Sequence, residues 1–352
     1  MSNKEKFVLN QEAGISSNPE KFAESIIAKL EKTKGAEQSV ELANFVEVLD
    51  NASLSNPGAV IKVLDYLYKN KDGTLVQFYE EPISGKKHDA KLFRPDGVLG
   101  VVPLTRNLTG AVTDQAQDGN KDILDVGCGC GLTSIAAADL GNRVIALDLS
   151  RLAVATTRLN AIWNNAEANI KFVHSNLSDY QSDQKFDILA SNPPISPLPE
   201  DKANEAVTLY RNLSEGKLDT AASQFAINYY VDEEGRNLLD LIFQKALLLL
   251  KENGEVIVSG GNICQNTLET FQKIGGKYGF KSTSIKSIGN SYADFRKGYT
   301  LEPLFGEDFI KKAVTDGIEV YTDQALKNRV ANSKEIEGIN YFFKGFAAIF
   351  KK

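Results

Sequence analysis

The sequence predicts an α/β chain built on an open, mostly parallel sheet covered by helices, with a helical segment ahead of it. From Asp122 onward, apolar strand-like runs alternate with helix-patterned segments over short links, the pattern of a parallel sheet with helices on both faces. The run Ile123-Leu124-Asp125-Val126 ends in a turn with glycines at 127, 129 and 131, then passes directly into Leu132-Thr133-Ser134-Ile135-Ala136-Ala137-Ala138. The next run, 143–148, ends in Asp148. That acid stands roughly 20 residues past the first glycine, where nucleotide-binding folds place a ribose-binding carboxylate.

Length and composition agree with a globular chain. At 352 residues it can bury a sizeable core, and two units are expected. Its 42% hydrophobic and 24% charged residues are those of a soluble protein. A formal net charge of −6 provides no general attraction to nucleic acid or anionic membrane. The three cysteines, Cys128, Cys130 and Cys264, build no disulfide framework and suit a reduced, cytoplasmic setting. Residues 1–10 contain no apolar signal core, and the aliphatic cluster 246–250 is far too short to span a bilayer, so neither secretion nor membrane insertion is expected.

The elements follow in order. Apolar positions at helical spacing after Asn-Pro or Asn-Pro-Gly starts predict helices over 19–30 and 59–68, with another over 39–49 between them. Residues 1–73 are thus expected to form a helical N-terminal domain, serving either as packing or as substrate recognition. The short runs 75–79 and 90–93 flank Ser84-Gly85-Lys86-Lys87 and predict a hairpin within a linker, 74–108. A helix is expected over 104–115, against the cofactor edge. The main domain, 109–352, then reads as strand 122–126, helix from 131, strand 143–148, helix 151–164, strands 170–173 and 186–191, helix 235–251 and strand 254–259. Strands at 280–286 and 339–350 bracket an insertion, 290–338, with Tyr292, Phe295, Arg296, Tyr299 and Phe305 as a candidate lid or substrate platform. Asp125, Asp148, Asn176 and Asn192 end or follow strands, so all four belong on the carboxyl edge where such sheets bind ligands.

The glycine turn Asp125-Val126-Gly127-Cys128-Gly129-Cys130-Gly131, together with Ser191-Asn192-Pro193-Pro194-Ile195 after the fourth core strand, resembles the class I S-adenosylmethionine-dependent methyltransferases. More narrowly, it resembles the Asn-Pro-Pro subgroup that methylates planar nitrogens: release-factor glutamine, guanine-N2 ribosomal RNA and N6-adenine enzymes. The resemblance spans residues 97–290 and resumes at the last strand. It implies a Rossmann-like sheet of seven strands, the last antiparallel, with S-adenosyl-L-methionine as cofactor. Asp125, Gly127, Cys128, Gly129 and Gly131 would hold its methionine part, Asp148 its ribose, and Leu149 and Asn176 its adenine. Asn176 stands where the family usually has an acid; its carbonyl oxygen accepts the same hydrogen bond without the charge.

Methyl transfer is an in-line displacement, so the enzyme chiefly aligns the reactants and excludes water. An amide or nucleobase nitrogen is a poor nucleophile because its lone pair is delocalised. The Asn192 side-chain oxygen and the Pro193 carbonyl can accept from its N–H groups and turn that lone pair toward the methyl, with Pro193 and Pro194 fixing the backbone. Ile195 replaces the aromatic residue common in the subgroup, and Tyr229 or Tyr230 could supply a missing wall. His88 and His174 show no metal or triad spacing. The expected activity is methylation of a planar nitrogen, either an exocyclic amine of RNA or a side-chain amide of a protein. The alternatives are a small-molecule methyltransferase with the insertion as lid, or an inactive binding protein. Neither a membrane nor a metal partner is expected.

Overall fold

Local sequence explains two N-terminal helix starts in the computed structural model, which describes residues 14–33, 36–70, 76–83, 89–194, 203–219, 222–223, 225–226, 237–261, 268–286 and 345–352. Helix α1 (Pro19–Lys32) opens where the Asn18 side chain accepts from the Lys21 N–H, and its buried Phe22, Ala23, Ile26 and Leu30 repeat at helical spacing. Helix α2 spans Ala36–Ser53. Helix α3 (Pro57–Lys69) repeats the start of α1, with Asn56 accepting from Ala59 and Val60, Val63, Leu64 and Leu67 buried. Strands β1 (Gln77–Glu81) and β2 (Ala90–Arg94) pair antiparallel, Gln77 opposite Arg94 and Glu81 opposite Ala90. The expected turn at Ser84–Lys87 lies outside the described residues.

Helix α4 (Pro103–Gln115) leads into the alternating part. There follow β3 (Asp122–Val126), α5 (Leu132–Asp139), β4 (Arg143–Asp148), α6 (Arg151–Trp163), β5 (Ile170–His174), β6 (Phe186–Ser191) and α7 (Ala203–Ser214). The chain continues through α8 (Leu238–Leu249), β7 (Leu250–Gly261), α9 (Leu268–Lys277), β8 (Lys281–Lys286) and β9 (Gly345–Lys351). The seven-stranded sheet has the order β5-β4-β3-β6-β7-β9-β8, with β9 antiparallel to both its neighbours. This is the expected seven-stranded Rossmann-like sheet, its last strand antiparallel. The chain winds outward from β3 through β4 and β5, then crosses back to place β6 on the other side of β3. A crevice therefore opens between the carboxyl ends of β3 and β6.

Strand alternation divides the core in two. Ile123, Val144, Ala146, Ile188, Ala190 and Ile257 face one side, in one apolar body with α4 to α6, the hairpin and the N-terminal helices. Leu124, Val126, Ile145, Leu147, Leu189, Val256 and Val258 face the other, against α8 and α9. The N-terminal helices dock on α6 through polar pairs as well: Arg158 donates to both Asp50 oxygens at 2.8 and 2.9 Å, and the Trp163 indole N–H donates to Asp65 at 3.0 Å.

Two expectations need correction. The helix expected over 235–251 is Leu238–Leu249, because Asn237 caps it by accepting from the Asp240 N–H and Leu250 is already extended, opening β7 opposite Phe186. Helix α7 adds an element, absent from the sequence-based order, in the stretch after the Asn-Pro-Pro turn. The insertion 290–338, Ile195, His88, Cys264, Tyr229 and Tyr230 lie outside the described residues. No described helix is long and apolar enough to cross a membrane. Among the described residues, no group of three or more His, Cys, Asp or Glu could hold a metal ion.

The sheet edge away from the crevice is closed by charge. Asp122 accepts from Arg143 at 2.7 Å and from Lys251 at 2.9 Å, while Asp187 accepts from Lys251 at 2.7 Å and from the Asp122 backbone N–H at 2.8 Å. The Arg143 hydrogen bond, with that of Lys251, holds the Asp122 carboxyl below its ordinary value of 3.8. A lowered folded-state pKa stabilises the fold above the unfolded value and ceases to do so as pH falls through the folded value. Asp122→Asn is therefore expected to melt below the parent at pH 7, with the difference closing as pH drops below about 4. Thermal melts of both proteins across that range check this; a gap that persists at pH 2 would contradict it.

Candidate active site

The turn between β3 and α5 is built on left-handed backbone, with Gly127 at φ 74°, Gly129 at 56° and Gly131 at 89°. The glycines serve different ends. A Cβ on Gly131 would lie 2.8 Å from Thr157 Cγ2 of α6, so this glycine lets turn and helix pack closely. A Cβ on Gly127 would meet nothing within 4 Å, and the space it would occupy belongs to the crevice. The turn closes on itself and on β4: the Gly127 and Cys128 N–H groups donate to Leu147 O at 2.8 and 3.2 Å, and Gly131 N–H donates to Cys128 O at 2.8 Å.

Helix α6 holds the turn from behind. Thr157 Oγ1 donates to Gly129 O at 2.9 Å, and Asn160 Nδ2 donates to Cys130 O at 2.8 Å. The same Asn160 amide accepts from the Phe93 N–H and donates to Phe93 O, each at 2.8 Å, as a strand neighbour would. One fully buried side chain thus joins β2, α6 and the glycine turn.

At the end of β4, Asp148 Oδ2 accepts from the Gly129 N–H at 3.1 Å and Oδ1 accepts from the Ser150 N–H at 2.8 Å. Both oxygens are oriented, and a carboxylate retains further lone pairs toward the crevice. Burial raises the Asp148 carboxyl above its ordinary value, while the Ser150 and Gly129 amides oppose that rise. Asp125 is 2% exposed and accepts from Ser134 Oγ at 2.6 Å. Burial first, then the nearby Asp148 charge, pushes it up to about 6 against the Ser134 hydrogen bond.

At the end of β6, Ser191 Oγ donates to Val126 O at 2.8 Å, locking the two strands that flank the crevice. Asn192 follows at the crevice wall, with its Nδ2 donating to Thr105 Oγ1 at 3.3 Å and its Oδ1 accepting from Ser259 Oγ at 2.8 Å.

The crevice is a cleft open to solvent along the carboxyl ends of β3, β4 and β6. Of the residues singled out in the sequence, Gly127, Gly129, Asp148, Leu149, Asn176, Asn192 and Pro194 line it. Asp125, Cys128, Gly131 and Pro193 are buried beside it, one or two residues along the chain from lining residues. Both thiols are buried, with Cys130 pushed up to about 11 by burial and Cys128 accepting from Thr157 Oγ1 at 3.3 Å. Asn176 turns its side-chain oxygen to the Ser178 N–H at 3.2 Å. His174 Nε2 lies 3.0 Å from Leu149 O and 2.8 Å from Leu213 O, so it carries a proton donated to two carbonyls and ties α7 to the cleft rim.

Sequence reasoning missed Ser223 and Ala226, which return to the cleft wall, Ser223 Oγ lying 2.8 Å from the Ser150 hydroxyl that caps α6. No motif marks them; only the amphipathic pattern of α7 hints that the chain folds back here. The arrangement offers an oriented carboxylate at one end, open backbone at Gly127, apolar walls from Leu149, Leu177 and Leu238, and an amide beside them. It suits a nucleoside-bearing molecule whose reacting group is held near Asn192.

Removing the amide of Asn160 would orphan the Phe93 N–H and Cys130 O in the interior. Asn160→Ala is expected to lose about 2–4 kcal/mol in chemical denaturation. A loss under about 0.5 kcal/mol would show that the turn does not depend on this residue.

Residues 105–220 match the family model described as methyltransferase small domain. A bifunctional methyltransferase of Rickettsia typhi is 30% identical over 188 residues, 48% of this chain and 33% of that protein. The release factor glutamine methyltransferase of Flavobacterium psychrophilum is 30% identical over 171 residues, 47% of this chain and 54% of its own length. The chain thus spans between a third and about half of the length of these curated relatives. Among solved structures, the 16S rRNA N2 G1207 methyltransferase of T. thermophilus, in complex with AdoMet and guanosine, matches 60% of this chain and 48% of its own at 14% identity and a TM-score of 0.42.

Proposed function

We infer, from the match of residues 105–220 to the methyltransferase small domain together with the cleft geometry, that this chain transfers a methyl group from S-adenosylmethionine to a planar nitrogen. The observation that carries the reading is the placement of Asn192 on the same cleft as Gly127 and Asp148, at the switch point between β3 and β6.

The cleft fits S-adenosylmethionine. The open space at Gly127 would receive its methionine part, with buried Asp125 nearby setting the charge; the Asp148 carboxylate would accept from the ribose hydroxyls; Leu149 and Leu177 would offer apolar surface to the adenine. When bound, this cofactor supplies a methyl group on a sulfonium, ready for in-line displacement. Asn192 Oδ1 and the Pro193 carbonyl accept from the N–H groups of the acceptor and turn its lone pair toward the methyl. Pro193 and Pro194 keep those oxygens in place, and the motif assigns Ile195 to the acceptor plane. The nitrogen becomes acidic as it gains carbon, and its proton passes to water, so no protein base is required.

The acceptor we favour is macromolecular, with a protein side-chain amide ahead of an RNA amine. Across 14–33 and 36–70, acidic residues outnumber basic ones by eight to five, a balance that gives the N-terminal helices no net attraction to a phosphate backbone. Buried, unpaired Cys128 and Cys130 accord with work in the reducing cytoplasm.

Two variants test the assignment together. Asn192→Ala is expected to bind S-adenosylhomocysteine within a few-fold of the parent by calorimetry while losing transfer by about 100-fold or more. Asp148→Asn is expected to weaken that binding by about tenfold or more. In the parent, binding should also weaken as pH falls through the raised Asp148 pKa, whereas the Asp148→Asn variant should keep only the part of that dependence that Asp125 supplies. Undiminished transfer by Asn192→Ala would refute the role given to that residue.

A further inference from the structure

Strand β7 carries a hydroxyl where its neighbours are aliphatic. Val256, Ile257 and Val258 are fully buried, and Ser259, next along the chain, is 0% exposed as well. A buried hydroxyl costs stability unless it is hydrogen-bonded, and Ser259 Oγ lies 2.8 Å from Asn192 Oδ1. The sheet brings the two together: β6 and β7 run parallel with Ser191 in register with Val258, so one step further along both chains sets Asn192 beside Ser259. Across β7, Ser259 is in register with the small Ala347 of β9. From the other side, Thr105 of α4 accepts from Asn192 Nδ2 at 3.3 Å.

We propose that Ser259 is a positioning residue, which with Thr105 fixes the plane and the oxygen-to-nitrogen sense of the Asn192 amide before the acceptor arrives. An amide oxygen takes two hydrogen bonds; Ser259 fills one site and leaves the other for the acceptor N–H. Without that hydroxyl, the terminal torsion of Asn192 is broad and roughly two-fold, and its NH₂ group can rotate into the place of the oxygen. An NH₂ group there would meet the acceptor donor to donor. Ser259 thus acts on the reacting nitrogen through Asn192 and never touches it. The proposal rests on the methyltransferase reading, and its test separates the two.

Asparagine-selective ¹⁵N labelling, with Asn192→Ala to identify the signals, follows the Asn192 side-chain amide directly. In Ser259→Ala these amide signals should shift and exchange faster with solvent. Single-turnover transfer to the lysate fraction that the parent labels should fall by roughly tenfold to 100-fold, with the KM for S-adenosylmethionine within about twofold. Ser259→Thr, which keeps the hydroxyl, should recover most of the rate. Unchanged amide signals would overturn the proposal, and so would altered signals with a transfer rate within about twofold of the parent. If the parent itself labels no fraction, the methyltransferase reading fails, while the amide signals still decide whether Ser259 holds Asn192.

Discussion

The structure depends on holding one tight turn in one shape. Three left-handed glycines let the chain leave β3, expose backbone at Gly127 and enter α5 in five residues. Such a turn has conformational freedom to lose, and α6 removes that freedom from behind through Thr157 and Asn160. The close approach at Gly131 makes this possible, since any side chain there would displace Thr157. Helix α6 in turn is the seat of the N-terminal helices, by way of the Arg158–Asp50 and Trp163–Asp65 contacts. Residues far from the cleft in sequence therefore help to fix the geometry of its floor.

The two edges of the sheet divide stability from function. At the amino ends of the strands, Asp122, Asp187, Arg143 and Lys251 satisfy one another. At the carboxyl ends, the polar groups are oriented but keep capacity in reserve. Asp148 has both oxygens aligned by backbone amides, and Asn192 is held between two hydroxyls. Burial raises both Asp148 and Asp125, a cost that a positively charged or hydroxyl-rich ligand would offset on binding. That asymmetry is what the carboxyl edge of a doubly wound sheet is built to provide.

Much of this is legible in the chain itself. Alternating apolar runs locate β3 to β6, Asn-Pro starts locate α1 and α3, and the spacing from Gly127 to Asp148 locates the cleft. Local signals suffice there because each element is specified by its own periodicity or cap. What the sequence does not reveal depends on contacts between distant segments. The Asn160 amide that mimics a strand neighbour and the return of Ser223 to Ser150 have no local signature. The end of α8 departs from the sequence pattern because Leu250 continues an aliphatic helix run, yet pairs with Phe186 across the sheet. The burial of Asp125 and Cys128 beside the glycine turn has no local signature either.

We propose that this cleft methylates nitrogen on a macromolecule. The most direct measurement incubates the protein with methyl-labelled S-adenosylmethionine and fractionated lysate from a host lacking the gene, then separates protein, RNA and small-molecule pools. Label is expected in a macromolecular pool, foremost protein, released on digestion as a methylated side-chain amide. Label confined to the small-molecule pool, or fixed to carbon or oxygen, would contradict the claim.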